Sequence, residues 1–121
     1  MSMTVLTVDD SRTMREMLRL ALADAGFRVV QAEDGIHGLE VLQAEAPQVI
    51  VTDINMPRMD GFGFIEEVRG DQRYRGIPIL VLTTESDAEK KNRARMAGAT
   101  GWIVKPFNPI KLVDAIRRVA A

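Results

Sequence analysis

Apolar residues gather in five short runs along the chain: Val5–Val8, Val29–Val30, Val49–Val51, Ile79–Leu82 and Ile103–Val104. Each is rich in β-branched residues and short for a helix, which predicts five strands. Val49-Ile50-Val51 and Ile79-Leu80-Val81-Leu82 lack polar alternation, as expected of strands covered on both faces. The intervals carry helical spacing instead. Met14, Met17, Leu18, Ala21, Leu22 and Ala25 form one apolar stripe, Leu39, Leu42 and Ala46 a second, and Phe62, Ile65 and Val68 a third. Leu112, Val113, Ile116, Val119 and Ala120 form a fifth. The fourth interval, Ser86–Ala99, holds almost no large apolar side chain before Met96. Ser86 with Glu89 fits a capping box, so a helix is still predicted there, and it should be the most weakly anchored of the five.

Gly26, Gly70 and Gly98 follow the proposed helix ends, where a left-handed cap is wanted. Asn108-Pro109 reads as an N-cap followed by proline in the first helical turn. Five strands alternating with five helices predict an α/β fold, a doubly wound parallel sheet with helices on both faces. Of the common strand orders, 2-1-3-4-5 suits a five-stranded chain best.

Composition narrows the chemistry. The chain has 121 residues, 46% hydrophobic and 27% charged, which predicts one domain over residues 1–121 with a real core. Sixteen Lys and Arg against seventeen Asp and Glu leave a net charge of −1, so neither nucleic acid nor a membrane surface is an expected partner. Zero cysteines exclude disulfides, thiolate metal sites and a Cys nucleophile. His37 is the single histidine and argues against a His-rich metal site or a triad. No apolar run approaches the ~20 residues of a membrane span, and Met1–Val5 lacks the features of a signal peptide. A soluble, cytoplasmic monomer is expected.

In doubly wound sheets, functional residues collect beyond the carboxyl ends of the strands, near the point where strand order reverses. The first strand here ends in Asp9-Asp10, the third in Asp53, the fourth in Thr83-Thr84 and the fifth in Lys105-Pro106. In the order 2-1-3-4-5 these four strands are neighbours, so three carboxylates, a hydroxyl and an ammonium converge on one edge. Like charges held together need a compensating cation. Oxygen ligands without Cys or His select a hard ion, Mg²⁺ before Ca²⁺. A carboxylate beside Mg²⁺, an ammonium and a hydroxyl is equipped to attack a phosphorus centre.

The segments Val8-Asp9-Asp10-Ser11, Asp53-Ile54-Asn55-Met56-Pro57-Arg58-Met59-Asp60-Gly61, Leu82-Thr83-Thr84-Glu85 and Trp102-Ile103-Val104-Lys105-Pro106-Phe107 resemble the signature set of response-regulator receiver domains. The resemblance covers the whole chain, in order, and looks like a stand-alone chemotaxis regulator of flavodoxin-like (βα)5 fold. It implies that Asp53 accepts a phosphoryl group from a phosphohistidine on a chemotaxis-type sensor histidine kinase. Mg²⁺ would be held by the side chains of Asp10 and Asp53, by Asp9 through water and by the Asn55 backbone carbonyl. Lys105 and the Thr83 hydroxyl would contact the phosphoryl oxygens, and Asn55 and Glu85 would tune the lifetime of the acyl phosphate. Lys105-Pro106 resembles the family's cis-proline turn. The switch position before Lys105, commonly Tyr or Phe in the family, is Trp102. Further implied partners are a flagellar motor switch protein and a phosphatase. The implied protein is a phosphoacceptor switch that catalyses only its own phosphorylation and dephosphorylation, and the rival role is a phosphate sink that drains the kinase without a motor target.

Other patterns lead elsewhere and fail. Gly61-Phe62-Gly63-Phe64-Ile65-Glu66 lacks the third glycine of a dinucleotide fingerprint and does not directly follow a strand. Asp53–Arg58 opens like a calcium loop, but Pro57 and Arg58 stand where a ligand and the glycine belong. A haloacid-dehalogenase-type phosphatase needs a second Asp two residues after the first, where Asn55 stands. A flavodoxin-type electron carrier needs a Ser/Thr/Gly-rich loop after the first strand, where Arg12 and Met14 stand. His37 and the Lys90–Arg95 charges read as solvated helix surface, the latter also as a candidate partner face.

Overall fold

Residues 3–121 are described by a computed structural model. Five parallel strands, β1 (Thr4–Val8), β2 (Arg28–Ala32), β3 (Val49–Thr52), β4 (Ile79–Thr83) and β5 (Gly101–Val104), form one sheet in the order β2-β1-β3-β4-β5. They alternate with α1 (Arg12–Asp24), α2 (Gly35–Glu45), α3 (Gly61–Gly70), α4 (Ala88–Ala97) and α5 (Pro109–Ala120), as the alternating pattern predicts. Every residue of β1, β3 and β4 is buried, whereas the edge strands β2 and β5 are only partly covered.

Two apolar cores follow from the two-residue period of the strands. Leu6, Val8, Ile50, Ile79 and Val81 point to the side of α2, α3 and α4 and meet Leu42, Phe64, Ile65 and Ala94. Val5, Val49, Val51, Leu80 and Leu82 point to the opposite side and meet Leu18, Leu22, Leu112 and Ile116 of α1 and α5. A buried hydroxyl stands within β1: Thr7 is fully buried and its Oγ1 has no hydrogen-bond partner among the described residues.

The helix ends follow local chemistry, with two departures from the predicted caps. Ser11, Asp34, Asp60 and Asn108 each accept a backbone N–H of the following first turn. Gly26 and Gly98 take positive φ, as predicted. Gly70 does not: it is the last residue of α3, whose cap is the extended Asp71, and a short 3-10 turn over Gln72–Tyr74 follows. Ser86 does not cap α4 either. Asp87 stands one residue closer, and its carboxylate accepts from the Glu89 N–H at 2.8 Å.

Ala94 is the one fully buried residue of α4. Two arginines supplement that small apolar anchor. Arg93 lies over the Phe62 ring, 4.0 Å from its centroid, and Arg69 Nε donates to the Gly98 carbonyl at 3.0 Å. The weakly anchored fourth helix of the sequence pattern is therefore held to α3 by cationic contacts.

Candidate active site

The adjacent parallel strands β1 and β3 end side by side and deliver Asp9, Asp10 and Asp53 to one point, and Lys105 reaches it from the end of β5, beyond β4. Asp9, Asp10 and Asp53 each present a carboxylate oxygen within 4.8 Å of the others. Asp9 and Asp53 are buried and Asp10 is exposed, so the cluster has a closed floor and one open side.

Asp53 is tightly oriented. Its Oδ1 accepts from the Ile54 N–H at 2.6 Å and its Oδ2 accepts from Lys105 Nζ at 2.9 Å. Lys105 Nζ also donates to Asp9 Oδ2 at 2.8 Å, and Asp9 Oδ1 accepts from the Ser11 N–H at 2.9 Å. A single ammonium thus bridges two buried carboxylates, while Asp10 makes no such contact. Burial pushes the Asp9 carboxyl above its ordinary range despite the lysine. Burial alone would lower Lys105, but the hydrogen bonds that it donates to Asp9 and Asp53 outweigh it and hold the ammonium above its usual value. The Lys105-Pro106 bond is cis.

Thr83 is brought to the same edge but not into this network. It is fully buried, and its Oγ1 accepts from the Glu85 N–H at 3.3 Å. Asn55 and Glu85 meet each other across the site mouth, with Asn55 Nδ2 donating to Glu85 Oε1 at 3.0 Å. Lys90 pairs with the same carboxylate at 3.2 Å. Asn55 and Lys90 together hold the Glu85 carboxyl below the usual range. Trp102 lies on the α4 side of the sheet, packed against that core, and its indole Nε1–H donates to the Glu85 carbonyl at 3.1 Å.

Sequence reasoning missed two contacts. The Trp102–Glu85 bond has no local signal, because it joins positions 17 apart in the chain. Arg58, read only as an obstacle to calcium, pairs with Asp34 through two hydrogen bonds, Nε to Oδ2 at 2.7 Å and Nη2 to Oδ1 at 3.0 Å. The Asp34-Gly35 step opening α2 was the available hint, since a capping Asp there stands ready for a cation.

An all-oxygen donor set of three carboxylates, without thiolate or imidazole, fits a hard divalent cation. Acidic pocket, strand-end lysine and doubly wound sheet together define a receiver, and the chain belongs to the response regulator receiver domain family, whose family model matches residues 5–117. It is 40% identical over 119 residues to chemotaxis protein CheY1 of Helicobacter pylori, covering 97% of this chain and 96% of that one. To chemotaxis protein CheY-3 of Vibrio cholerae it is 36% identical over 119 residues, covering 98% and 92%. The solved structure of chemotaxis protein CheY4 of Vibrio cholerae matches with a TM-score of 0.93 at 46% identity, covering 98% of this chain and 99% of that one. Family membership carries a phosphoacceptor role in two-component signalling. No helix is long and apolar enough to cross a membrane among the described residues.

Proposed function

We propose that this protein, a single receiver over residues 1–121, accepts a phosphoryl group on Asp53 from a phosphohistidine of a chemotaxis-type sensor kinase and then binds a target through the α4-β5-α5 face. The observation that carries this reading is the fixed geometry of Asp53, one oxygen held by a backbone amide and the other by Lys105 beside two further carboxylates. In the transfer, a carboxylate oxygen of Asp53 attacks phosphorus, the phosphorus–nitrogen bond breaks, and the histidine ring, protonated on its other nitrogen, takes the electron pair and leaves as neutral imidazole. The product is an acyl phosphate.

Asp10 and Asp53 would hold Mg²⁺ through their side chains, Asp9 through water, and Asn55 through its backbone carbonyl. Bound there, the ion would supply charge neutralisation at the phosphoryl oxygens. Lys105 is already aimed at Asp53 Oδ2 and needs only to turn from carboxylate to phosphoryl oxygen to keep its charge paired. Thr83 gives up its acceptance from the Glu85 N–H to donate its hydroxyl to the phosphoryl group. Asn55 and Glu85, joined across the mouth, control whether water reaches the acyl phosphate and so set its lifetime.

Relatives named as chemotaxis proteins support a role in chemotaxis, and the proposed target is a flagellar motor switch protein, with a phosphatase as a further partner, in the cytoplasm and with this chain as a monomer. Incubation with acetyl phosphate and Mg²⁺ is expected to add one phosphate by mass spectrometry. Asp53→Asn should abolish it, and full labelling of that variant would refute the assignment. Capture of partners with and without beryllofluoride (a phosphoryl mimic) tests the output. If phosphorylated protein drains the kinase and engages no target, the phosphate-sink role replaces the motor role.

A further inference from the structure

The loop that begins at Asp53 ends at Asp60, the N-cap of α3, and its far side is fastened to a different element. Arg58 has a φ of +64°, a left-handed conformation that non-glycine residues rarely adopt without support. The support is visible. Its guanidinium grips both oxygens of Asp34, at 2.7 and 3.0 Å, in the bidentate geometry that gives an arginine–carboxylate pair its directionality. Asp34 is only 3% exposed and is itself fixed, because its Oδ1 also accepts from the His37 N–H at 2.9 Å as the cap of α2. One residue on, the Gly35 N–H donates to the Met59 carbonyl at 3.1 Å. Gly35 has no room for a side chain, since a Cβ there would stand 2.7 Å from that carbonyl oxygen. Two consecutive residues of the loop are thus docked on two consecutive residues at the start of α2.

We infer that Arg58 is a positioning residue of the metal site: by latching onto Asp34 it holds the loop from Asp53 through Asn55 in the conformation that receives Mg²⁺. This rests on the reading of the acidic cluster as the Mg²⁺ site. The alternative is that the pair is only a surface ion pair, which contributes little. The two differ in sign. Arg58 is a cation in the neighbourhood of a cation site, so its charge acting alone would oppose Mg²⁺, and removing it would tighten binding. If the latch organises the donors, removing it weakens binding.

Titration calorimetry of Mg²⁺ on the full chain separates these outcomes, with urea unfolding run on the same samples. Arg58→Ala is expected to weaken Mg²⁺ by about tenfold, the scale on which contacts that orient metal ligands act. Arg58→Gly, which adopts φ +64° freely but lacks the guanidinium, should weaken it as much. Asp34→Asn keeps an oxygen acceptor for the His37 N–H but loses the charge and sets an amide NH₂ where Oδ2 accepts from Arg58 Nε, and should show a comparable loss. The double variant Asp34→Asn/Arg58→Ala should be no worse than the weaker single one, since both remove one interaction. Unchanged or tighter Mg²⁺ binding by the Arg58 variants, or losses that simply add, would overturn the latch while leaving the metal site standing. A wild-type chain that binds no Mg²⁺ would overturn both.

Discussion

Removing the Lys105 ammonium should destabilise the protein in the absence of divalent metal and make its stability unusually dependent on Mg²⁺. The side chains involved are 9% exposed for Lys105, 2% for Asp9 and 11% for Asp53. At an effective dielectric of about 20, unit charges 2.8 and 2.9 Å apart attract by about 6 kcal/mol each. Desolvation of the three groups offsets most of that attraction, and truncating one partner of such a buried set costs about 3 to 5 kcal/mol. Asp10 leaves one side of the cluster open to water, so Lys105→Ala belongs near the lower figure, about 3 kcal/mol. With a urea m-value of about 2 kcal/mol/M, the midpoint falls by about 1.5 M.

Mg²⁺ should then do what the ammonium no longer does. The variant's carboxylates carry no competing cation, so it should bind Mg²⁺ more tightly than the wild type. Both proteins gain from saturating Mg²⁺, so the gap narrows by the ratio of their affinities, about 1.4 kcal/mol for each tenfold by which the variant binds more tightly. Urea unfolding of both proteins with EDTA and with saturating Mg²⁺ is the assay. A gap of about 3 kcal/mol in EDTA that narrows in Mg²⁺ supports the argument. A gap that stays constant or widens in Mg²⁺ refutes it, because Lys105 would then be stabilising something other than the carboxylate cluster.

Three further outcomes are expected. A Cβ at Gly61 would collide with the Asp53 carbonyl oxygen and lie 2.8 Å from the Ile54 Cα, so Gly61→Ala must move the Asp53 backbone. It should cost more than about 2 kcal/mol by urea unfolding, within the range for overpacking, and slow Asp53 labelling by acetyl phosphate. Thr7→Val replaces an unpartnered buried hydroxyl by a methyl group of similar size and should stabilise by about 1 kcal/mol in the same assay. Trp102 is the sole indole and is bonded to the Glu85 carbonyl rather than to any metal-site carboxylate. Its fluorescence should change with Mg²⁺ plus beryllofluoride well beyond the change with Mg²⁺ alone; an equal response to Mg²⁺ alone would mean that it senses the metal pocket directly.

Much of this protein is legible without coordinates because its information is periodic and local. Unbroken β-branched runs such as Val49-Ile50-Val51 can satisfy their burial only inside a sheet covered on both faces, which is where β3 lies. Trp102 packs with the α4-side core and its neighbour Ile103 with the core of α1 and α5, the alternation that any strand imposes. Asp9, Asp10, Asp53 and Lys105 could be grouped because parallel strands of known order bring their ends together regardless of chain distance.

What only the tertiary structure decided depends on side-chain competition between segments far apart in sequence. The three carboxylates and the ammonium were expected at one edge, but not their pairing; folding brings Lys105 onto Asp9 and Asp53 and leaves Asp10 to solvent. Thr83 was placed at the right edge, yet its hydroxyl is engaged by the Glu85 amide, a choice settled by the turn after β4. At α4 the Ser86/Glu89 spacing predicts a capping box, but the helix starts one residue later and Asp87 caps it. The Arg58–Asp34 latch spans 24 residues and has no periodicity to betray it. Hydrophobic spacing constrains which face a residue occupies; hydrogen-bond partners are chosen only when the packed elements bring donors and acceptors within about 3 Å of one another.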